Sequence, residues 1–256
     1  MLSSSNIKLI NSLGFKKYRD KHGLFIVEGD GLVRELLESG MTVIKLFALP
    51  EWLKETESGL LSMVKEIITV DDRELRKISH LSTARSALAL VRTEHHSPDI
   101  QSLSGSLSIA LDNIQDPGNL GTIMRIAAWF GIENIICSKG STDVYNPKTV
   151  QASMGALLHV RVSYADLATV LSGLSGKDIP VYAATLDGEA VYDIAKSRNG
   201  LLLFGNEAKG ISGELMPFVS RKISIPPAGK TGAGIDSLNV AMSAAIICNE
   251  FRRKEV

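Results

Sequence analysis

The stretch that most invites phosphate chemistry is Gly229-Lys230-Thr231, set among further glycines and followed by an apolar helical run. A nucleotide cradle of the G-x-x-x-x-G-K-[ST] type needs its leading glycine so that successive N–H groups curl round the anion. Ser224 stands at that place, with Pro226 and Pro227 after it. Each proline fixes its φ and carries no N–H, so the curl loses donors where it needs them. The apolar run begins only at Leu238. A triphosphate cradle, and with it a nucleotide-hydrolysing switch, is rejected.

Other chemistry-bearing residues fall at the ends of apolar runs that read as strands, and open α/β sheets bind ligands beyond such ends. "LDNIQDPGNLGTIMRIAA" (111–128) makes a tight turn at Asp116-Pro117-Gly118-Asn119, with Asn119 expected as the cap of the helix that follows. Arg125 stands in that helix among apolar neighbours, where a charge seldom goes unpaired, and a snorkelling side chain is the competing reading. It lies six residues after Asn119, so the two need not share a helix face. "LLLFGNEAKGIS" (201–212) runs straight into Gly205-Asn206-Glu207, and a glycine just past a buried strand commonly lets a ligand approach the backbone. Glu207 and Lys209 equally fit an exposed turn. The last run, "KISIP", stops at prolines before the glycine-rich loop. Ser237 then opens the final helix as its expected cap, with Asn239 in the first turn.

The elements that must position these residues alternate. Before residue 92, helical and strand patterns interleave as a small α/β domain, starting with a basic helix near Ser4–Arg19. The polar stretch Arg92–Ser106 lacks apolar period and reads as a linker; His95 and His96 within it have nothing nearby to complete a metal site. Beyond it, short apolar strands separated by helices predict a parallel sheet with helices on both faces. The expected division is 1–94, a linker at 95–105, and 106–256.

The chain has 256 residues and no net formal charge, so no global field draws it to polyanions and any nucleic-acid binding must come from local basic patches. Cys137 and Cys248 lack ligand spacing and read as buried thiols of a reducing compartment. The N-terminus shows no continuous apolar signal segment, and the most apolar helix is too short to span a bilayer. The expectation is a cytoplasmic protein without membrane or metal partners.

Taken together, "DPGNLGTIMR", "LLLFGNEAKGIS" and "SLNVAMSAA" in that order resemble the three motifs of the SpoU (TrmH-like) RNA 2′-O-ribose methyltransferases of the SPOUT superfamily. "KYRDKHGLFIVEGDGLVRELL" is similar to that family's substrate-binding domain. The resemblance implies a C-terminal trefoil knot, S-adenosylmethionine as methyl donor, and a homodimer in which both subunits build each site. It implies cofactor contacts at Thr185, Gly205, Ile225 and Leu238, and site roles for Asn119, Arg125, Glu207, Ser237 and Asn239. RNA, with ribosomal RNA favoured over transfer RNA, is the implied substrate.

A guanidinium stays protonated in proteins, so the expected role of Arg125 is to stabilise the forming alkoxide or clamp a phosphate rather than to act as a base. Lys16, Lys17, Arg19 and Lys21, interleaved with Tyr18 and His22, supply charge and rings for RNA capture. The loop Pro226–Asp236 is longer than the family's usual connection and has a proline where methionine is common. Its glycines are read as extending a cofactor-side loop, with Lys230 as a surface lysine. The rival from another class is a catalytically silent RNA-binding protein of the same fold.

Overall fold

The computed structural model describes residues 2–81, 83–174, 176–228 and 237–253. Most of the long loop after Pro226, including Lys230, therefore lies outside the described residues. The chain forms two compact units. One comprises residues 1–94 together with 143–158, the other residues 95–142 and 159–256.

The first unit holds strands β1 (Leu24–Glu28), β2 (Val43–Ala48), β3 (Ile67–Thr69) and β4 (Ala87–Arg92) in the order β1-β4-β2-β3. β4 runs antiparallel to both β1 and β2, and β3 lies parallel to β2. The basic N-terminal segment is not one helix. It breaks at Leu13-Gly14-Phe15 into Ser4–Ser12 and Lys16–His22, because Leu13 and Ile10 are drawn into the core under the sheet. Gly23 ends the second helix at φ +61°, the left-handed conformation that glycine reaches without a Cβ penalty.

Residues 143–158 pack into this unit. Asn146 caps the helix Pro147–Ser153, which sits against β1. Phe25 and Tyr145 meet at 4.4 Å between ring centroids. The helix Pro147–Ser153 ends where Met154 turns left-handed at φ +48°, and a short 3₁₀ turn, Ala156–Leu158, follows.

The second unit is a six-stranded sheet in the order β10-β8-β9-β5-β6-β7, every neighbouring pair parallel. Its strands are β5 (Leu107–Leu111), β6 (Asn134–Ser138), β7 (Arg161–Ala165), β8 (Val181–Ala190), β9 (Gly200–Phe204) and β10 (Arg221–Ser224). β5 and β9, side by side at its centre, are buried along their whole length, as a parallel sheet covered on both faces requires. Burial of Leu201 and Leu203 with Val181, Ala183, Leu171 and Leu215 anchors the strands, so the loops at their carboxyl ends start from fixed points. Removing one such leucine side chain costs about 2–5 kcal/mol. The stretch 95–105, expected as a linker, contributes the short helix Ile100–Leu103, and Leu103 is buried in this core.

β8 departs from its neighbour's register. Ala183 pairs with Lys222, but the next pair is Glu189 with Ile223, so residues 184–188 bow out of the sheet. Lys222 Nζ donates to Asp187 Oδ2 at 2.8 Å across this bow. That bond is the leading cause that holds the Asp187 carboxyl below its ordinary pKa.

Candidate active site

At the carboxyl ends of β8, β9 and β10 lies a cavity of about 520 Å³. Thr185, Gly205, Ile225 and Leu238, the four residues expected around the cofactor, all line it, as do Glu207 and Ser237. Thr185 gets there through the bow in β8. Phe204, Ile211, Ile223 and Ile247 give apolar wall, while the turn after β9 and Ser224 give polar groups. Such walls with a few polar groups at one end suit an adenosine whose charged tail needs hydrogen bonds.

Gly205 has a second duty. A Cβ there would overlap the backbone of Gly210 and Ile211. The turn closes on itself, with Asn206 and Gly210 exchanging backbone N–H···O bonds of 2.9 Å each. Close backbone approach at this glycine is thus made first by the protein itself.

Beside the cavity three distant segments meet through side chains. Asn119 Nδ2 donates to Glu207 Oε1 (2.7 Å), and Asn239 Nδ2 donates to Asn119 Oδ1 (3.0 Å). The amide of Asn119 is thereby oriented at both ends, donor towards the carboxylate and acceptor towards Asn239. Neither asparagine nor serine caps as the sequence suggested. Asp116 caps the helix Pro117–Trp129, accepting from Asn119 N at 2.8 Å, with Pro117 in the first turn where a missing N–H costs nothing. Asn239, not Ser237, caps the helix Val240–Arg252, its Oδ1 accepting from Ala241 N at 2.9 Å. Freed from that duty, Ser237 stands exposed at the cavity wall.

Arg125 is not brought into this group. It is exposed on the helix Pro117–Trp129, outside the residues that line the cavity. No hydrogen bond or ion pair holds its guanidinium among the described residues. One turn on, Trp129 is 85% exposed.

The expected RNA-binding cluster divides. Lys16, Lys17, Lys21, His22, Tyr18 and the neighbouring Phe15 are exposed, with Lys17 Nζ 6.0 Å from the Tyr18 ring centre. Arg19 must be withdrawn from it. It is 2% exposed; its Nε and Nη2 donate to Asp143 Oδ2 (3.0 and 2.6 Å) and its Nη1 to Leu13 O (2.8 Å). Its fork is spent on holding the segment that begins at Asp143, and an RNA phosphate has no access to it.

The sequence reading also missed a buried group. Asp112, at the end of β5, is 3% exposed, and its carboxylate accepts from Asn113 Nδ2 (2.8 Å) and Ser212 N (2.7 Å). Asn206 Nδ2 donates back to Asn113 O at 2.8 Å. An acidic residue directly after a short, mostly apolar strand was the signal available. Cys137 and Cys248 are buried, and burial pushes each thiol up to about 12. Among the described residues no group of His, Cys, Asp or Glu side chains is arranged to hold a metal ion, and no helix is long and apolar enough to cross a membrane.

A parallel α/β sheet with a cavity at its strand ends, faced by a hydrogen-bonded Asn–Asn–Glu chain, is the layout of an enzyme that binds a nucleoside-containing cofactor. Residues 106–249 match the SpoU rRNA Methylase family and residues 4–89 the MRM3-like substrate binding domain. The chain belongs to the SpoU rRNA methylase family, and it is an S-adenosylmethionine-dependent RNA 2′-O-methyltransferase.

Along nearly its whole length it is 27% identical to the 23S rRNA (guanosine(2553)-2′-O)-methyltransferase RlmP of Bacillus subtilis, covering 97% of this chain and 96% of that protein. A TrmH-family structure from Porphyromonas gingivalis superposes with a TM-score of 0.88 at 34% identity, covering 99% of both chains. An AdoMet-bound rRNA methyltransferase structure from Sinorhizobium meliloti gives 0.87 at 28% identity, covering 99% of this chain and 97% of that one.

Proposed function

We propose that this enzyme methylates a ribose 2′-hydroxyl of ribosomal RNA at the Asn119–Glu207–Asn239 group, acting as a cytoplasmic homodimer. The observation that carries the reading is the hydrogen-bonded chain of these three residues, drawn from three distant segments, beside a cavity of cofactor size. S-adenosylmethionine, when bound, supplies an electrophilic methyl group on a sulfonium. The rest of the chemistry is positioning. Asn119, fixed at both ends of its amide, and Glu207, an acceptor facing it, orient the ribose hydroxyl for attack, and much of the acceleration comes from that alignment. Ser237 and the Leu238 backbone close the cavity wall.

Arg125 enters from a second subunit in this reading. Among the described residues it is exposed and unpaired; Trp129 on its own helix and Met242 on the helix Val240–Arg252 packed against it are 85% and 62% exposed. Apolar surface of that kind calls for cover. Delivered to the cavity of the second subunit, the guanidinium stabilises the developing alkoxide or a neighbouring phosphate, as preorganised charge does without becoming a base. The trefoil knot that the family resemblance implies belongs to this reading, with the cavity loops as the threaded ones.

RNA capture falls to Lys16, Lys17 and Lys21 with the rings of Phe15 and Tyr18, and residues 1–94 are read as the substrate-binding domain. The match of residues 4–89 to a substrate-binding domain supports this.

The test is mapping 2′-O-methylation, by resistance to alkaline cleavage, across ribosomal and transfer RNA from cells with and without the gene. One ribosomal site should lose its methyl group. A loss confined to transfer RNA, or a loss at no ribosomal site, overturns ribosomal RNA as the substrate. Sedimentation of the purified protein should give a dimer, and Trp129→Ser with Met242→Ser should give monomer without activity.

A further inference from the structure

We infer that Asp112 is a positioning residue for methyl transfer, its buried carboxylate locking the turn that carries Asn119 to the loop that carries Glu207. The inference rests on the reading of Asn119 and Glu207 as site residues. Asp112 directly follows β5, and its backbone N–H donates to Phe204 O at 2.8 Å, so the two central strands finish level with each other. From there one chain runs through Asp116 to Asn119, the other through Gly205 to Glu207.

Nothing in strand pairing continues past this point, yet Asn119 Nδ2 and Glu207 Oε1 meet at 2.7 Å. What sets their separation is a bracket of side chains underneath. Asp112 Oδ2 takes the N–H of Ser212 at the far end of the Glu207 loop (2.7 Å). Asp112 Oδ1 takes the amide of Asn113 (2.8 Å), whose carbonyl takes the amide of Asn206 at the near end of the same loop (2.8 Å).

Asn113 needs that hold, since it sits at φ +54°, where a residue with a Cβ is strained. Its N–H goes to Ser138 Oγ at 2.8 Å. Both ends of the Glu207 loop are therefore tied to two consecutive residues, one of them a carboxylate 3% exposed. A carboxylate accepts both N–H bonds with no donor of its own to misplace. An amide in its place has one oxygen for two donors. Asp112 is 3% exposed and is not among the residues that line the cavity, so its action runs through the loop.

Two variants test this. Asp112→Asn keeps the shape and removes one acceptor. Ser212→Pro removes the opposite N–H at a backbone φ of −59°, which proline adopts freely. Turnover at saturating RNA and S-adenosylmethionine is measured per cofactor-binding molecule, counted by calorimetric stoichiometry. Each variant should lower kcat about 10- to 100-fold, the penalty of misplacing a reacting group by a fraction of an ångström to an ångström. RNA KM should not move, and the double variant should be no worse than Asp112→Asn alone, because both cut the same contact.

A merely structural aspartate would lower the number of binding-competent molecules and leave turnover per molecule intact. That result, or additive losses, overturns the inference. If Asp112→Asn does not fold, Ser212→Pro decides alone. Asn119→Ala, run alongside, separates the two failures. Wild-type turnover there sinks the site reading itself, whereas lost turnover there with intact turnover in Asp112→Asn and Ser212→Pro sinks only the role of Asp112.

Discussion

Two arginines, one in each compact unit, occupy opposite environments on helices of similar standing. Arg19, on Lys16–His22, is buried, with all three guanidinium nitrogens engaged by Asp143 and Leu13. Arg125, on Pro117–Trp129, projects into solvent. The first has paid its desolvation and recovered it through a close charge pair; it is structural and closed to any ligand. The second has no hydrogen-bond or ion-pair partner among the described residues, which leaves its donors available to a ligand.

The comparison can be broken at either end. Removing Arg19 strands a nearly buried Asp143, so Arg19→Ala should lower unfolding free energy by about 3–5 kcal/mol in urea titration. A change under about 1 kcal/mol, the scale of an exposed pair, would put the two arginines in the same class. Arg125→Ala should leave the melting temperature and S-adenosylmethionine affinity alone while lowering kcat about 10²- to 10³-fold, as lost transition-state donors do. Equal loss of cofactor binding and turnover would refute its assignment to the developing charge.

The exposed lysines beside Arg19 give a smaller effect. Lys16→Glu with Lys17→Glu should weaken RNA binding and shallow the log–log salt slope by about one per lost phosphate contact. An unchanged slope removes that helix from the RNA footprint. Smallest is the thiol control. Cys137 and Cys248, with thiols held up to about 12 by burial, should resist Ellman's reagent at pH 8 equally in wild type and Arg125→Ala. Faster labelling in the variant would mean that Arg125 supports the fold after all.

The strands were legible because apolar runs of that length between turn residues have few other fates. The four residues that the family resemblance implied around the cofactor all line one cavity. Arg19 was not, because its partner is 124 residues away, and in sequence it stands among lysines that are exposed. Local composition cannot tell which member of a basic helix faces inward. The caps were misread for a nearer reason. Asp-Pro at 116–117 is itself a helix-start signal, and it outweighs an asparagine two places on. Asn239 caps although serine precedes it, since the helix begins one residue after the asparagine.

Residues 143–158 lie inside the stretch that matches the methylase family, yet they belong to the same compact unit as residues 1–94. Tyr145 seals the arrangement, its hydroxyl donating to Glu94 O and accepting from Glu94 N (2.8 and 2.9 Å). Chimaeras spliced only near residue 94 would therefore mismatch: a substrate domain borrowed from a relative must bring its own version of this insert, or Asp143 and Tyr145 lose Arg19 and Phe25. The natural exchangeable module here is discontinuous in the gene.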